Sequence, residues 1–409
     1  MQKGTRMDIK ITPAFLSGNI GIPPSKSISH RALIAASLAQ GESTVENLLD
    51  CADTEATVEA LTALGAKIER FGNYAKITGI SKPNKQAKIN CRESGSTLRF
   101  MIPVAAALGT DAEFSGCGKL PERPITPFFE QLPEHGVEFL TKQMPYRING
   151  RLNGGRFTIA GNISSQFITG LLMAFPLTNE DCEIHITTAL ESKGYIDLTL
   201  DVMERFGVHI GEIENGYFSA KNTSYKPCDF SVEADLSQAA FFLTANAIGS
   251  EISIKGINPN SRQGDRAILD ITENFVKDHA PFRINASQIP DLVPILTVLA
   301  CFADGESEIS GCERLRIKEC DRLAAISQEL NKLGAKIEII GDSLKITGVK
   351  ELHGGECDAW NDHRIAMSLA VASTRSTAPI IIRGAECVSK SYPHFFEDFR
   401  MLGGITDVI

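Results

Sequence analysis

Lysine and arginine recur in this chain beside residues that start helices, a pairing suited to holding an anion. The stretch Pro23–Arg31 reads PPSKSISHR ahead of an apolar run. Two prolines stiffen the entry, Ser25 or Ser27 can cap a helix, and Lys26, Ser27 and Arg31 fall in its first turns. A helix start leaves backbone N–H groups unpaired and carries partial positive charge, so it suits a phosphate or carboxylate. Further basic groups stand at comparable places. Arg99 follows the Gly95 turn, Arg123 sits in the proline-held loop LPERPI, and Lys318 and Arg322 lie in RIKECDR. Arg364 follows Asn361-Asp362-His363, and Lys390 lies in SKSYP. Singly, each reads as an ordinary surface charge, and Arg31 or Arg99 could equally pair with a carboxylate in the core. Together they favour a ligand with more than one anionic group. A helix end contributes about 0.3–1 kcal/mol toward an anion. A hydrogen bond to a charged group contributes about 1.5–3 kcal/mol. The dipoles therefore focus such a site and the side chains hold the ligand.

Two acids separate catalysis from binding. Asp291 stands at a helix start where an anion site would favour serine, and Glu319 lies between Lys318 and the Asp321-Arg322 pair. A carboxylate repels an anionic ligand, so a pure binding module gains nothing from either. An enzyme that moves protons needs a base for a hydroxyl and an acid for a carbon or leaving group. The plain alternatives are an N-cap for Asp291 and a salt-bridged helix residue for Glu319. Asp362-His363 suggests a metal only weakly, because no second ligand pair lies at ligand spacing. Cys117 near Arg123 reads more readily as an inert turn cysteine than as a nucleophile. Neither a Walker loop nor a dinucleotide fingerprint is present.

The elements that would position these residues repeat. A strand beside a glycine recurs at Gly41–Leu48, Thr110–Gly116, Asp181–Thr187, Gly249–Gly256, Gly305–Gly311 and Ala378–Gly384. The hexapeptide Leu64-Gly65-Ala66-Lys67-Ile68-Glu69 returns letter for letter at Leu333–Glu338, each copy followed by Lys-Ile-Thr-Gly, at Lys76–Gly79 and Lys345–Gly348. Glycine there fits a left-handed helix C-cap before the chain turns into a strand. Polar helix starts precede alanine- and leucine-rich runs at Ser25, Glu93–Ser96, Ser164-Ser165-Gln166, Asp235–Gln238, Pro290-Asp291 and Asn361–Arg364. The expectation is an α/β fold of six βα-rich units, three per domain. Domain one spans 22–233, and domain two joins 1–21 to 234–409. Helix N-termini would then gather on one face of each domain and line an electropositive cleft between them.

Composition narrows the class. The formal net charge of -9 argues against a nucleic-acid binder, so any anion site is local. The longest apolar run, 292–303, is too short to span a bilayer, so no membrane role is expected. Ten cysteines without CxxC spacing, and an N-terminal stretch lacking an apolar signal core, fit reduced thiols in a cytoplasm.

Nine blocks in order carry a resemblance: PPSKSISHRAL, ESGSTLR, LPERPI, ISSQFITGLLM, ESKGYID, IPDLVP, RIKECDRL, NDHRIAM and SKSYPHFF. The chain resembles the 5-enolpyruvylshikimate-3-phosphate synthase family, the enolpyruvyl transferases of the shikimate pathway. The resemblance implies a two-domain inside-out α/β barrel, with three βαβαββ-type units per domain and helix N-termini facing an interdomain cleft. It implies transfer of the enolpyruvyl group of phosphoenolpyruvate to the 5-hydroxyl of shikimate 3-phosphate, through a tetrahedral intermediate and without metal or organic cofactor. It places Lys26, Ser27, Arg31, Ser164, Ser165, Gln166, Ser192, Tyr195, Asp291 and Lys318 around shikimate 3-phosphate. It places Lys26, Gly95, Arg123, Gln166, Arg322, Arg364 and Lys390 around phosphoenolpyruvate. Asp291 is then the base for the hydroxyl, and Glu319, with Lys26, supplies the proton for the methylene carbon. A monomer is expected. Departures from the family pattern are Glu93-Ser94 before Gly95, Phe100 after Arg99, and Arg314. Pro133 should kink the helix expected after Thr126. Rival readings are a UDP-N-acetylglucosamine enolpyruvyl transferase, which Cys117 and Arg123 mimic loosely, and a non-catalytic phosphometabolite sensor.

Overall fold

The computed structural model describes residues 6–409. The chain forms two compact units, an inserted one, Pro24–Glu233, and a split one, Met1–Pro23 with Ala234–Ile409. Residues 1–5 of the expected 1–21 segment lie outside the described residues.

The inserted unit carries helices α1 (Lys26–Leu38), α2 (Ala52–Leu64), α3 (Gly95–Leu108), α4 (Thr126–Gln131), α5 (Ser165–Thr178) and α6 (Lys193–Arg205). The split unit carries α7 (Leu236–Ala247), α8 (Ala267–Asp278), α9 (Val293–Ala300), α10 (Arg322–Lys332), α11 (His363–Ala372) and α12 (Phe395–Met401). Small and apolar residues let α1, α3 and α5 form the core of one unit, and α7, α9 and α11 that of the other. Every residue of α1 from Ile28 onward and every residue of α11 is buried. A helix apolar all round is stable only when enclosed. Helices α3 and α5 approach closely at Gly170 of α5, where a Cβ would collide with the Arg99 carbonyl of α3, so only glycine fits.

Short sheets wrap these helices in one repeated order. In the inserted unit, Phe230–Ser231 lies parallel to Glu42–Glu46, which pairs antiparallel with Tyr74–Thr78 and through it with Lys67–Phe71. The order recurs with Gln86–Asn90, Asp111–Ser115, Tyr146–Gly150 and Val137–Phe139, and with Gly155–Ile159, Cys182–Ile186, Gly216–Ser219 and Gly211–Ile213. The split unit repeats it with Arg283–Asn285, Glu306–Ser310, Ser343–Thr347 and Lys336–Ile340. In its other four-stranded sheet, Gly355–Asp358 pairs with Ile380–Arg383, but the third strand is Ile9–Thr12, followed by Ile405–Val408. Ser17–Gly21 pairs in parallel with Glu251–Lys255.

The duplicated hexapeptide occupies one geometry twice. Gly65 and Gly334 sit at helix ends with φ of 117° and 90°. The paired Gly79 and Gly348 would place a Cβ 1.7 Å from the Ala39 carbonyl and 1.8 Å from that of Ala303. Two expectations change in detail. Pro133 does not kink a longer helix, since α4 ends at Gln131 and the chain continues as a 3-10 turn, Leu132–His135. The fifth helix start is likewise a 3-10 turn, Pro290–Leu292, ahead of α9.

Candidate active site

In the inserted unit, Ser25, Ser94 and Ser164 cap α1, α3 and α5, each accepting from a backbone N–H of its own first turn. A buried polar thread aligns the first two starts. Thr57 Oγ1 lies 2.7 Å from His30 Nδ1 and 2.8 Å from Thr97 Oγ1, which lies 2.8 Å from Ser94 Oγ. Burial, with Lys26 and Arg31 adding to it, holds His30 well below the usual imidazole range, so the thread is neutral. Lys26 Nζ pairs with Asp53 Oδ2 at 3.0 Å. Gln166 bridges the starts of α3 and α5, donating to Ser96 Oγ at 2.9 Å and accepting from Arg99 Nη1 at 2.7 Å. Arg99 also donates to the Pro124 carbonyl at 3.1 Å, which fixes the loop bearing Arg123. The Arg123 guanidinium lies over Gly95, and a Cβ there would stand 2.8 Å from Nη1 and 2.9 Å from Cζ.

Arg31 is 2% exposed and heavily used. It donates to Thr199 Oγ1 at 2.8 Å, the Ser27 carbonyl at 2.7 Å and the Tyr195 carbonyl at 2.9 Å. Phe100, one of the departures noted in the sequence, lies beneath it, 5.3 Å from ring centroid to guanidinium. Burial pulls the Arg31 guanidinium down to about 10, so it stays charged at neutral pH. Ser192 adopts φ 55° at the start of α6, and its carbonyl accepts from Tyr195 N at 3.1 Å.

In the split unit, cations surround one carboxylate. Asp291 Oδ1 receives Arg322 Nη1 at 2.9 Å and lies 3.6 Å from Lys318 Nζ, while Oδ2 receives Arg364 Nη2 at 2.9 Å. Arg364 Nη1 also donates to the Asp291 carbonyl at 3.0 Å. Asp291 is thus no N-cap, because its side chain is taken by three basic groups. Arg322 is the hub. It reaches Glu319 Oε2 at 2.7 Å and, through Nε, Asp362 Oδ2 at 2.7 Å. Burial opposes its charge, but Asp362, Glu319 and Asp291 outweigh burial and hold it well above the usual guanidinium range. Asp362 is fully buried and also caps α11 through Arg364 N at 2.8 Å. Lys390 Nζ donates to the Asn361 carbonyl at 2.7 Å. Burial pushes the Lys318 ammonium down to about 8, although Asp291 draws it up. Arg314 donates to the Ser287 carbonyl at 2.8 Å.

Lys26, Ser27, Arg31, Gly95, Arg123, Ser164, Ser165, Gln166, Ser192 and Tyr195 lie in the inserted unit, where Arg31 joins Ser27 to Tyr195 and Arg123 covers Gly95. Asp291, Lys318, Glu319, Arg322, Arg364 and Lys390 meet in the split one. Sequence reasoning missed two acids. Asp53 pairs with Lys26 from the first turn of α2, where an acid reads as a helix-start residue. Asp265, just before α8, accepts from Ser237 Oγ and has a second oxygen, Oδ1, buried without a protein hydrogen-bond partner. Burial and then Asp291 push its carboxyl up to about 7. Only its place after Gln263-Gly264 could have marked it, and that pattern is common in loops. Among the described residues, no group of three or more His, Cys, Asp or Glu side chains is placed to hold a metal ion.

Helix starts that gather arginine, lysine, serine and a cation-held carboxylate define an α/β protein for multiply anionic ligands. The comparisons narrow that class. The family model described as EPSP synthase (3-phosphoshikimate 1-carboxyvinyltransferase) matches residues 11–399. The 3-phosphoshikimate 1-carboxyvinyltransferase of Clostridium perfringens is 48% identical over 415 residues, covering 97% of this chain and 98% of the relative. That of Clostridioides difficile is 46% identical, covering 98% of each. The solved EPSP synthase of Acinetobacter baumannii shares the fold, with a TM-score of 0.82 at 23% identity over 98% of this chain and 100% of that one. The chain belongs to the EPSP synthase family.

Proposed function

We propose that the chain carries out the reaction of its family with the residues above in defined roles. The reaction transfers the enolpyruvyl group of phosphoenolpyruvate to the 5-hydroxyl of shikimate 3-phosphate and releases phosphate, on the route to aromatic amino acids. Lys26, Ser27, Arg31, Ser164, Ser165, Gln166, Ser192, Tyr195, Asp291 and Lys318 bind the sugar phosphate. Lys26, Gly95, Arg123, Gln166, Arg322, Arg364 and Lys390 bind phosphoenolpyruvate.

Asp291 takes the proton of the 5-hydroxyl as the oxygen bonds to C2 of phosphoenolpyruvate. Glu319, with Lys26, delivers a proton to the methylene carbon, which becomes a methyl group and completes the tetrahedral intermediate. In the second half, the methyl group returns a proton to the Glu319 carboxylate, the C2–O bond to phosphate breaks, and the departing phosphate takes up the proton that Asp291 removed from the hydroxyl. The observation that carries this assignment is the grip of Arg322 and Arg364 on Asp291. Those cations fix both oxygens of the carboxylate in the free protein. A donor carboxylate that claims the same guanidinium groups loosens their hold and frees an oxygen of Asp291 to accept the hydroxyl proton.

The chain acts as a monomer in the cytoplasm. Eight of its ten free cysteines are buried as thiols, which suits a reducing compartment. No helix among the described residues is long and apolar enough to cross a membrane. The deciding experiment is phosphate release from phosphoenolpyruvate with shikimate 3-phosphate or UDP-N-acetylglucosamine as acceptor. Release with the shikimate ester alone supports the reading. Release with the nucleotide sugar overturns it in favour of the cell-wall transferase, and binding without release favours a sensor.

A further inference from the structure

Two consecutive non-glycine residues, Trp360 and Asn361, hold left-handed backbone with φ of 54° and 51°, directly before the Asp362 cap of α11. This conformation is costly for a side chain as bulky as tryptophan and persists only where surrounding contacts enforce it. The enforcing group is Glu329. It lies on α10, seven residues after Arg322, and its side chain is fully buried. Its Oε1 accepts from Trp360 Nε1 at 2.8 Å, and its Oε2 accepts from Asp358 N at 3.1 Å and Lys332 Nζ at 2.7 Å. Both carboxylate oxygens are therefore committed to the turn or to a charge that balances it.

The turn has a chemical output. With Trp360 and Asn361 so held, the Asn361 carbonyl accepts from Lys390 Nζ at 2.7 Å, and Asp362 meets both Arg364 N at 2.8 Å and Arg322 Nε at 2.7 Å. Helix α10 thus grips the segment before α11 at two points about 10 Å apart along its axis, as seven residues at 1.5 Å rise require. Arg322 holds Asp362 at one end and Glu329 holds Trp360 at the other.

We infer that Glu329 is a positioning residue for the donor site, acting through the Trp360–Asn361 turn to aim Lys390 and Arg364. The inference rests on the reading that these two cations bind phosphoenolpyruvate. A merely structural buried carboxylate would affect stability without favouring one substrate. A positioning residue affects the KM for phosphoenolpyruvate selectively. Trp360 is the only tryptophan in the chain, so its fluorescence reports this turn alone.

The experiment compares the parent with Glu329→Gln and Trp360→Phe, using steady-state kinetics and, for the two proteins that retain Trp360, emission under phosphoenolpyruvate titration. Glu329→Gln is expected to raise the phosphoenolpyruvate KM about tenfold, equivalent to about 1.4 kcal/mol. The shikimate 3-phosphate KM and kcat should stay within about threefold of the parent, and Trp360 emission should shift to the red. Trp360→Phe, which leaves the carboxylate in place, should give the same selective rise, and it decides the matter if Glu329→Gln fails to fold. Equal KM changes for both substrates, or lowered stability with both KM values unchanged, would overturn the inference. If the parent itself releases no phosphate, the functional reading falls. The inference is then judged on emission: a phosphoenolpyruvate response weakened about tenfold in Glu329→Gln upholds it, and no response in the parent, or equal responses, overturns it.

Discussion

The guanidinium of Arg31 donates to the carbonyl of Tyr195 across 164 residues of sequence, at 2.9 Å. The same group bonds Ser27 in the first turn of α1 and Thr199 in α6. One buried cation therefore sets two helix starts against each other. Any ligand it touches is held by a group that the fold has already fixed.

Arg31→Lys should expose this load. Lysine keeps the charge but gathers its donors at one point, so it cannot serve acceptors spread around a planar fork. Buried acceptors left without a donor cost about 1–3 kcal/mol each. A loss of about 2–4 kcal/mol in unfolding free energy by urea titration is expected. Unchanged stability with weakened sugar-phosphate binding would mean that Arg31 serves the ligand alone.

Gly95→Ala should separate the two substrates. The added Cβ would meet the Arg123 guanidinium at under 3 Å, and that group, at the end of a flexible side chain, moves easily. Stability should change little, while loss of one charge-assisted contact of about 1.5–3 kcal/mol raises the phosphoenolpyruvate KM about 10- to 100-fold. A comparable rise for shikimate 3-phosphate would place Arg123 outside the donor site.

Asp291→Asn keeps the shape of the side chain and removes the base. Turnover should fall by about 10²–10⁴-fold, the usual range for a lost general base. Phosphoenolpyruvate binding, followed by calorimetry, should hold or tighten, because a negative charge beside an anionic ligand is gone. Turnover within a few-fold of the parent would move the base elsewhere, with Glu319 the first candidate.

Asp265→Asn should alter how stability depends on pH. The Asp265 carboxyl is raised from 3.8 to about 7, first by burial and then by Asp291, against the opposing pull of Arg364 and Ser237. Below about pH 4 both the folded and unfolded carboxyls are protonated. Between about 4 and 7 the unfolded chain sheds its proton and the folded one keeps it, so this group lowers stability as pH rises and levels off above 7. The parent should therefore lose more stability than Asp265→Asn between pH 4.5 and 7.5, read from urea midpoints. Parallel pH profiles would show that Asp265 is ionised throughout.

The repeat, the glycine strands and the polar helix starts were legible because each is local. Leu64–Glu69 and Leu333–Glu338 specify the same helix-to-strand turn wherever they occur, and Ser25, Ser94 and Ser164 each cap the helix that begins at the next residue. The α/β class came from that. Partners brought from far along the chain were not legible. Glu329 reads as one more acid on an amphipathic helix, yet it is fully buried against Trp360. Asp53 and Asp265 look like ordinary loop or helix-start acids until Lys26 and Ser237 are placed beside them. Pro133 shows a local rule read too strictly: a proline just past a short helix can end one helix type and begin another.

The strand Ile9–Thr12 has its two neighbours at Ile380–Arg383 and Ile405–Val408. During synthesis this strand waits for more than 360 further residues before either neighbour exists. The inserted unit, Pro24–Glu233, is complete long before that moment and can fold while the chain is still growing. Loss of the residues after 379 would strand an interior β-segment with no partner on either side. Chains truncated after residue 379 should accordingly yield a folded inserted unit and an unsatisfied, aggregation-prone strand at Ile9–Thr12.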